Sequence, residues 1–309
     1  MSSVPSAIVN AMTVDVEDYF QVSAFDDVVP RDQWTRHESR VVANTDRLLE
    51  LFADAGVRGT FFVLGWVATE YPDLVRRIAA GGHEVASHGF GHRLVYELTR
   101  QEFTDDVRRS RDVLAEITGR RVLGYRAPSF SVTARSLWAL DVLLEEGFVY
   151  DASIFPIHHD RYGIPTAPRH FHARELAQGQ LWECPSSTVR LGGTNLPVGG
   201  GGYFRLLPYA WTRWGMARIN RRENQPAIFY LHPWEIDPDQ PRLPTSRLTA
   251  FRHYCNLHKT EDRLTRLLRH FRFAPLADVL ATAQGRPALA ASAEAATAVP
   301  VSIAPAPRA

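Results

Sequence analysis

Four polar clusters fall where short apolar runs end, and their residue types suit hydrolytic chemistry. Thr13-Val14-Asp15-Val16-Glu17-Asp18 closes an apolar run over 8–16. On an extended strand Asp15 and Glu17 point to the same face, which offers a pair of carboxylates for proton abstraction or metal binding. His88 and His92 in Ser87-His88-Gly89-Phe90-Gly91-His92 are spaced i and i+4, one helical turn apart and close enough to hold one metal ion. Two imidazoles and one carboxylate make a three-ligand site with positions left open for water. In Gly124-Tyr125-Arg126-Ala127-Pro128-Ser129-Phe130, Arg126 can clamp a carboxylate by a bidentate pair, and Pro128 stiffens the loop so that a backbone N–H points into the site. His232, in Leu231-His232-Pro233-Trp234-Glu235, is a general-acid candidate because imidazole titrates near neutral pH, and Asp151 at another strand end is placed to orient and charge it. Each cluster has an ordinary reading too, since acids open loops and cap helices. Their common position at strand ends favours a site.

The elements that must position them alternate. Strand patterns over 8–16, 59–64, 83–87, 121–125 and 148–150 interleave with helix patterns over 41–55, 72–80, 99–118 and 133–146. Thr99 with Glu102 forms a capping box, and Gly56, Gly81-Gly82 and Gly147 stop helices. This rhythm predicts an α/β fold, a distorted β/α barrel with about seven parallel strands, in which the chemistry sits at the C-terminal strand ends. After Asp151 the rhythm weakens, and prolines and glycines predict an irregular insertion over about 156–206 with one strand near 181–184. A helix near 208–222, a strand over 227–231 and a helix near 261–270 follow. One domain over 1–284 is expected, its last part (about 240–284) helical, with a disordered Ala/Pro-rich tail over 285–309.

The chain has 309 residues, and 35 basic minus 34 acidic side chains leave a net charge of +1. That balance gives no electrostatic case for nucleic acid. Two cysteines, Cys184 and Cys255, are too few for a disulfide framework. No window is apolar enough for a membrane span, and the N-terminus lacks a signal pattern, so a cytoplasmic protein is expected. Pro197 to Arg205 contains the run Gly199–Gly202 without a Gly-Lys-Ser/Thr, so close backbone approach to a sugar, or a flexible turn, is a better reading than phosphate binding. Trp34, Tyr203 and Trp234 are candidate stacking platforms for sugar rings.

With these motifs in this order, the sequence resembles the NodB-like polysaccharide deacetylases, carbohydrate esterase family 4, over roughly 8–283. DVEDYFQV, LHPWE and the glycine-rich run make it look like the subgroup of exosortase-associated exopolysaccharide loci. The resemblance implies a NodB-type barrel and makes Asp15 the catalytic base, His88 and His92 metal ligands, and Arg126 the holder of the base. It makes the Ser129 N–H an oxyanion donor, and Asp151 the group that tunes His232, the catalytic acid. The family's metal-binding aspartate falls on Val16, which cannot ligate; the acid is displaced to Glu17 or Asp18, and the same-face argument prefers Glu17. Pro128, Leu231, Trp234 and Tyr203 are expected along the substrate.

The reaction so implied is hydrolysis of N-acetyl groups with a divalent ion, zinc first. The substrate is an N-acetylhexosamine-containing polysaccharide or a lipid-linked precursor made in exopolysaccharide synthesis. Two alternatives stand beside it: an allantoinase-like hydrolase acting on a small cyclic amide, and a non-catalytic sugar-binding protein, which the displaced metal acid would explain.

Overall fold

The computed structural model describes residues 8–286, so the tail expected over 285–309 lies outside the described residues but for its first two positions. Eleven strands are formed among them: β1 (Val9–Val16), β2 (Thr60–Val63), β3 (Glu84–Ser87), β4 (Gly124–Tyr125), β5 (Tyr150–Asp151), β6 (His172–Leu176), β7 (Gly179–Glu183), β8 (Thr188–Leu191), β9 (Thr194–Pro197), β10 (Ile228–Leu231) and β11 (Arg272–Ala274). The main sheet runs β10-β1-β2-β3-β4-β5-β7-β6, with β11 also on β1. Its pairings are parallel except β6 with β7, so the fold is the α/β type that the alternation predicts.

No closed ring of strand pairing is present among the described residues. The free edge of β10 meets loop backbone instead: Tyr230 N–H donates to Gly199 O at 2.7 Å, and Gly200 bridges to Tyr230. This explains the glycine run. A Cβ on Gly200, whose φ is +123°, would sit 1.9 Å from Tyr230 O, and one on Gly199 would sit 2.7 Å from Ile228 O. The close backbone approach expected toward a sugar is made to the protein's own strand.

Alternation along β1 divides the interior. Met12, Val14 and Val16 join Leu48, Phe52, Leu74 and Ile78 in the core under the surrounding helices. Ala11 faces the other way, with Phe62, Ala86, Tyr150 and Ile228, into the space that the curved sheet encloses. Leu276, Ala277, Val279 and Leu280 of the helix Leu276–Ala283 fill that space from below. The helix start is anchored there, Leu276 N–H to Thr60 Oγ1 at 2.7 Å and Ala277 N–H to Glu84 Oε2 at 3.1 Å, which places an acid at the positive helix end. Asp15, one turn of alternation above Ala11, is thereby held at the upper, C-terminal end.

The insertion differs from the irregular segment expected. It contains two antiparallel hairpins, β6–β7 and β8–β9. Gly192 and Gly193, with φ of +54° and +85°, form the two-residue turn that joins β8 to β9. The helix Arg100–Thr118 does carry the Thr99/Glu102 capping box and ends at left-handed Gly119.

Gly200→Ala is expected to destabilise the protein by about 2–3 kcal/mol through overpacking and backbone strain. A thermal or urea melt checks this, with Gly192→Ala, where a Cβ meets nothing within 4 Å, as the milder comparison.

Candidate active site

The upper end of β1 carries two carboxylates into the interior, and each has its own cations. Asp15 is 2% exposed and accepts from Arg126 Nη1 at 2.6 Å. Arg126 is fully buried, and its fixed geometry comes from three further contacts. Nη1 donates to Thr13 Oγ1 at 2.8 Å, Nε donates to Ala152 O at 3.3 Å, and the guanidinium carbon lies 4.2 Å from the Phe62 ring centroid. Asp15 Oδ2 is left facing His232 Nε2 at 3.8 Å.

Glu17, His88 and His92 converge, with one ligand atom from each lying within 4.8 Å of the others. Glu17 Oε2 stands 2.7 Å from His92 Nε2. His88 Nδ1 is hydrogen-bonded to Arg126 O at 2.8 Å, which turns Nε2 toward the cluster with its lone pair available. Burial pushes His88 down to about 4, so it is neutral, the form that ligates. Burial alone would raise Glu17, but His92, His232 and His88 around it hold it well below the usual carboxylate range. Two neutral-capable imidazoles and one ionised carboxylate therefore fit a divalent cation. Trp234 Nε1 donates to Glu17 Oε1 at 3.1 Å and fixes the carboxylate plane.

The two histidines do not share a helix turn as their spacing suggested. They sit in a loop where Gly89 has φ +74° and His92 has φ +49°, with ring centroids 5.5 Å apart. Asp106 accepts from the N–H groups of Phe90 and Gly91, while Arg31 donates to the carbonyls of Gly91 and His92. That bracing sustains a left-handed conformation which histidine rarely adopts.

Asp18 is placed elsewhere. Its Oδ2 accepts from Ser39 Oγ, Arg40 N and Val41 N at 2.7–3.1 Å. The helix Val41–Asp54 has arginine at its N-cap and no cap from that side chain, so Asp18 supplies it from a distance in sequence. Between the two acids left open by the sequence, the structure brings Glu17 to the histidines.

His232 lies between the acids, its Nε2 3.7 Å from Glu17 Oε1, but its other nitrogen is held by a residue that the sequence reading missed. Nδ1 bonds Glu235 Oε1 at 2.8 Å, within the tight turn Pro233–Ile236. Glu235 is fully buried, and its Oε2 faces Arg205 Nε at 3.6 Å. The expected pairing of His232 with Asp151 is thus corrected. Asp151 lies opposite Glu183 across β5–β7 and bonds Ser153, whose Oγ takes the Ala127 N–H. Burial raises both Asp151 and Glu183, and for Glu183 the neighbouring Asp151 carboxyl adds to the rise. The signal for Glu235 was its position three residues after His232.

The remaining residues separate. Trp234 is 4% exposed and sandwiched, stacking on His232 at 5.2 Å and on His253 at 4.2 Å, so it offers no open face to a sugar. Leu231 belongs to the core under the helices and Trp34 to a second apolar cluster, which corrects their expected substrate contacts. Pro128 is buried beside Ser129 and Phe130, two successive residues with φ +51° and +52°, a strained turn at the site rim. Ser129 Oγ bonds Ser23 Oγ at 2.8 Å. Tyr203 packs on Phe155 in an aromatic group that includes Phe130 and Tyr230, and Tyr230 lies 5.9 Å from His232.

Residues 19–143 match the family model "Polysaccharide deacetylase", and residues 152–281 match a model described as a domain of unknown function. A peptidoglycan deacetylase of Helicobacter pylori is 32% identical over 116 residues, 37% of each chain. A chitooligosaccharide deacetylase of Rhizobium leguminosarum is 28% identical over 109 residues, 31% of this chain and 51% of that one. Over residues 19–143 the chain is therefore similar to polysaccharide deacetylases. The matches span about half or less of these curated relatives' length. In fold, the chain is similar to a structure provisionally assigned as a polysaccharide deacetylase from Mycobacterium smegmatis, with a TM-score of 0.57 at 20% identity, covering 99% of this chain and 98% of that one. It is also similar to Puue allantoinase, with a TM-score of 0.59 at 13% identity, covering 89% and 90%. The segment matching the deacetylase model contains His88, His92 and Arg126, Asp15 and Glu17 lie just before it, and the second segment contains His232, Trp234, Glu235 and Arg205.

Asp18→Ala is expected to lower stability by about 1–2 kcal/mol, the cost of a lost cap, with bound metal unchanged. Glu17→Ala should abolish metal binding. Melts together with metal analysis separate the two. In metal-free protein, Glu17, Glu235 and Asp15 outweigh burial and raise His232 to about 9. Its ordinary value is 6.5, so its stabilisation is full below about 6.5 and is lost as pH rises through about 9. Urea melts across that window should show the decline in wild type and a flatter curve in His232→Gln.

Proposed function

We propose that the chain is a metal-dependent hydrolase that removes N-acetyl groups from an N-acetylhexosamine-containing polysaccharide. The observation that carries this is the convergence of Glu17, His88 and His92 beside the Arg126-held Asp15 and His232. Glu17 takes the place left open by Val16, which weakens the case for a non-catalytic sugar-binding protein. The relatives' names support a sugar amide over a small cyclic amide. The substrate is a polysaccharide of the exopolysaccharide type or its lipid-linked precursor.

Glu17, His88 and His92 would hold the ion, with zinc the choice for two imidazoles and a carboxylate. Such an ion polarises the acetyl carbonyl and lowers the pKa of bound water to about 7. Asp15 is the base: Arg126 occupies Oδ1, so Oδ2 is the atom that takes the water proton. The Ser129 N–H, set by the strained turn after Pro128, donates to the developing oxyanion. His232 is protonated near neutral pH and gives its Nε2 proton to the departing nitrogen, which would otherwise leave as a poor amide anion. Glu235 holds Nδ1 and so aims Nε2. The products are acetate and a free amine on the sugar.

Acetate release from N-acetylglucosamine oligomers by zinc-restored protein, with a small cyclic amide as comparison, tests the reading. His88→Ala should lose metal and activity together. His232→Ala should keep metal and lose at least about 10²-fold in kcat. Glu235→Leu should lower kcat with little change in KM or metal content, and Glu235→Asp should restore part of it. Wild-type rates in the histidine variants, or hydrolysis of the cyclic amide alone, would overturn the assignment.

A further inference from the structure

A concavity of about 990 Å³ opens at the other end of the sheet from the site, where β11 pairs with the first residues of β1. It is lined by Arg213, Trp214, Asn220, Arg221, Arg269 and Arg272, from the helices Tyr209–Arg218 and Thr260–His270 and the segments that follow them. No carboxylate among the described residues lines it. The acids of the same segments are turned to other partners: Glu223 to Arg169 and His170, Glu261 to Arg47, and Asp262 to Arg266. Arg213, Arg221 and Arg269 make no ion pair among the described residues. In a chain of net charge +1, this cluster is a local excess of cation that concentrates field in a cleft.

Trp214 adds a second kind of recognition. It is 40% exposed, the only tryptophan among the exposed large apolar residues described, and Arg218 lies over its ring at 5.9 Å. An indole platform beside guanidinium forks suits a ring with anionic groups. The arginines pair carboxylate or phosphate and the indole covers the C–H face, while the Asn220 amide is held by Asn10 and Gln225 at the cleft wall. A concave shape excludes a flat bilayer as the occupant.

We propose that this basic cleft binds an acidic glycan, a sugar chain bearing carboxylate or phosphate groups, at a place separate from the hydrolytic site. The anionic requirement follows from the cleft alone, and the choice of glycan over other polyanions rests on the deacetylase reading. The cleft would hold a charged stretch of polymer while a distant acetylated unit reaches the site.

Calorimetry on the full chain, with oligogalacturonate as the acidic probe, tests this. Binding is expected that weakens as NaCl rises, with a neutral oligomer of equal length bound at least about tenfold more weakly. Arg213→Ser with Arg269→Ser, and separately Trp214→Ala, should each weaken acidic-oligomer binding at least about tenfold. Unchanged melting temperature and unchanged acetate release from short neutral oligomers would show that the fold and the site are intact. Equal affinity for the neutral oligomer, or full affinity in the variants, overturns the proposal. Tighter binding of a single-stranded oligonucleotide or of inorganic phosphate overturns the glycan assignment. Because binding is read without turnover, these outcomes are independent of whether acetate is released.

Discussion

Two carboxylates of one strand end, Asp15 and Glu17, are buried to within 2% of full, and much of the upper half of the protein exists to make that tolerable. An isolated buried carboxylate would take a proton instead of remaining charged. Arg126 answers one acid, and three histidines answer the other. These partners need supports of their own. The carbonyl of Ala152 and the hydroxyl of Thr13 hold Arg126, Asp106 and Arg31 brace the histidine loop, and Trp234 fixes Glu17.

The site is shared between two sequence segments that match separate family models, and the division follows chemistry. The first, with the strand end just before it, brings His88, His92 and Arg126 to Asp15 and Glu17. The second brings the group that faces them, on a turn that carries its own restraints. His232 is held through Nδ1 by Glu235 and by stacking on Trp234, which rests in turn on His253. Arg205 ties this unit down by donating to the carbonyls of residues 252, 253 and 255 while facing Glu235. A histidine fixed by one bond could swing; one fixed by a bond and a ring stack has a single direction for its free nitrogen.

Much of this was legible in the sequence because strand ends announce themselves. Apolar runs ending in Asp15, His88, Arg126 and His232 located the site residues, and strand alternation chose Glu17 over Asp18 for a physical reason. One residue further along, Asp18 points away, to a helix whose arginine N-cap cannot cap it. The hairpins of the insertion were not legible. β6 lies at the sheet edge with no fully buried position, so it shows no apolar period, and only the Gly192-Gly193 pair marked a turn. The partner of His232 was misread for a different cause. A strand end tells which way a side chain faces but not which neighbour it meets, and Asp151 meets Glu183 directly across the sheet.

That displacement changes what Asp151 is for. With Glu183 beside it, burial pushes both carboxyls up. Its work is mechanical: Asp151 grips Ser153, and Ser153 grips the backbone just after Arg126. Orientation of His232 then falls to a carboxylate three residues away in the same turn. Placing Glu235 there removes the need for a strand of the sheet to align with the turn to within hydrogen-bond tolerance. The turn meets the end of β1 through the bond from Trp234 to Glu17 and the open face between His232 and Asp15, and Asp237 beyond it is held by Arg40 and Asn44. In the proposed reaction a substrate nitrogen enters at that open face, so proton delivery would depend on the geometry that the turn fixes internally.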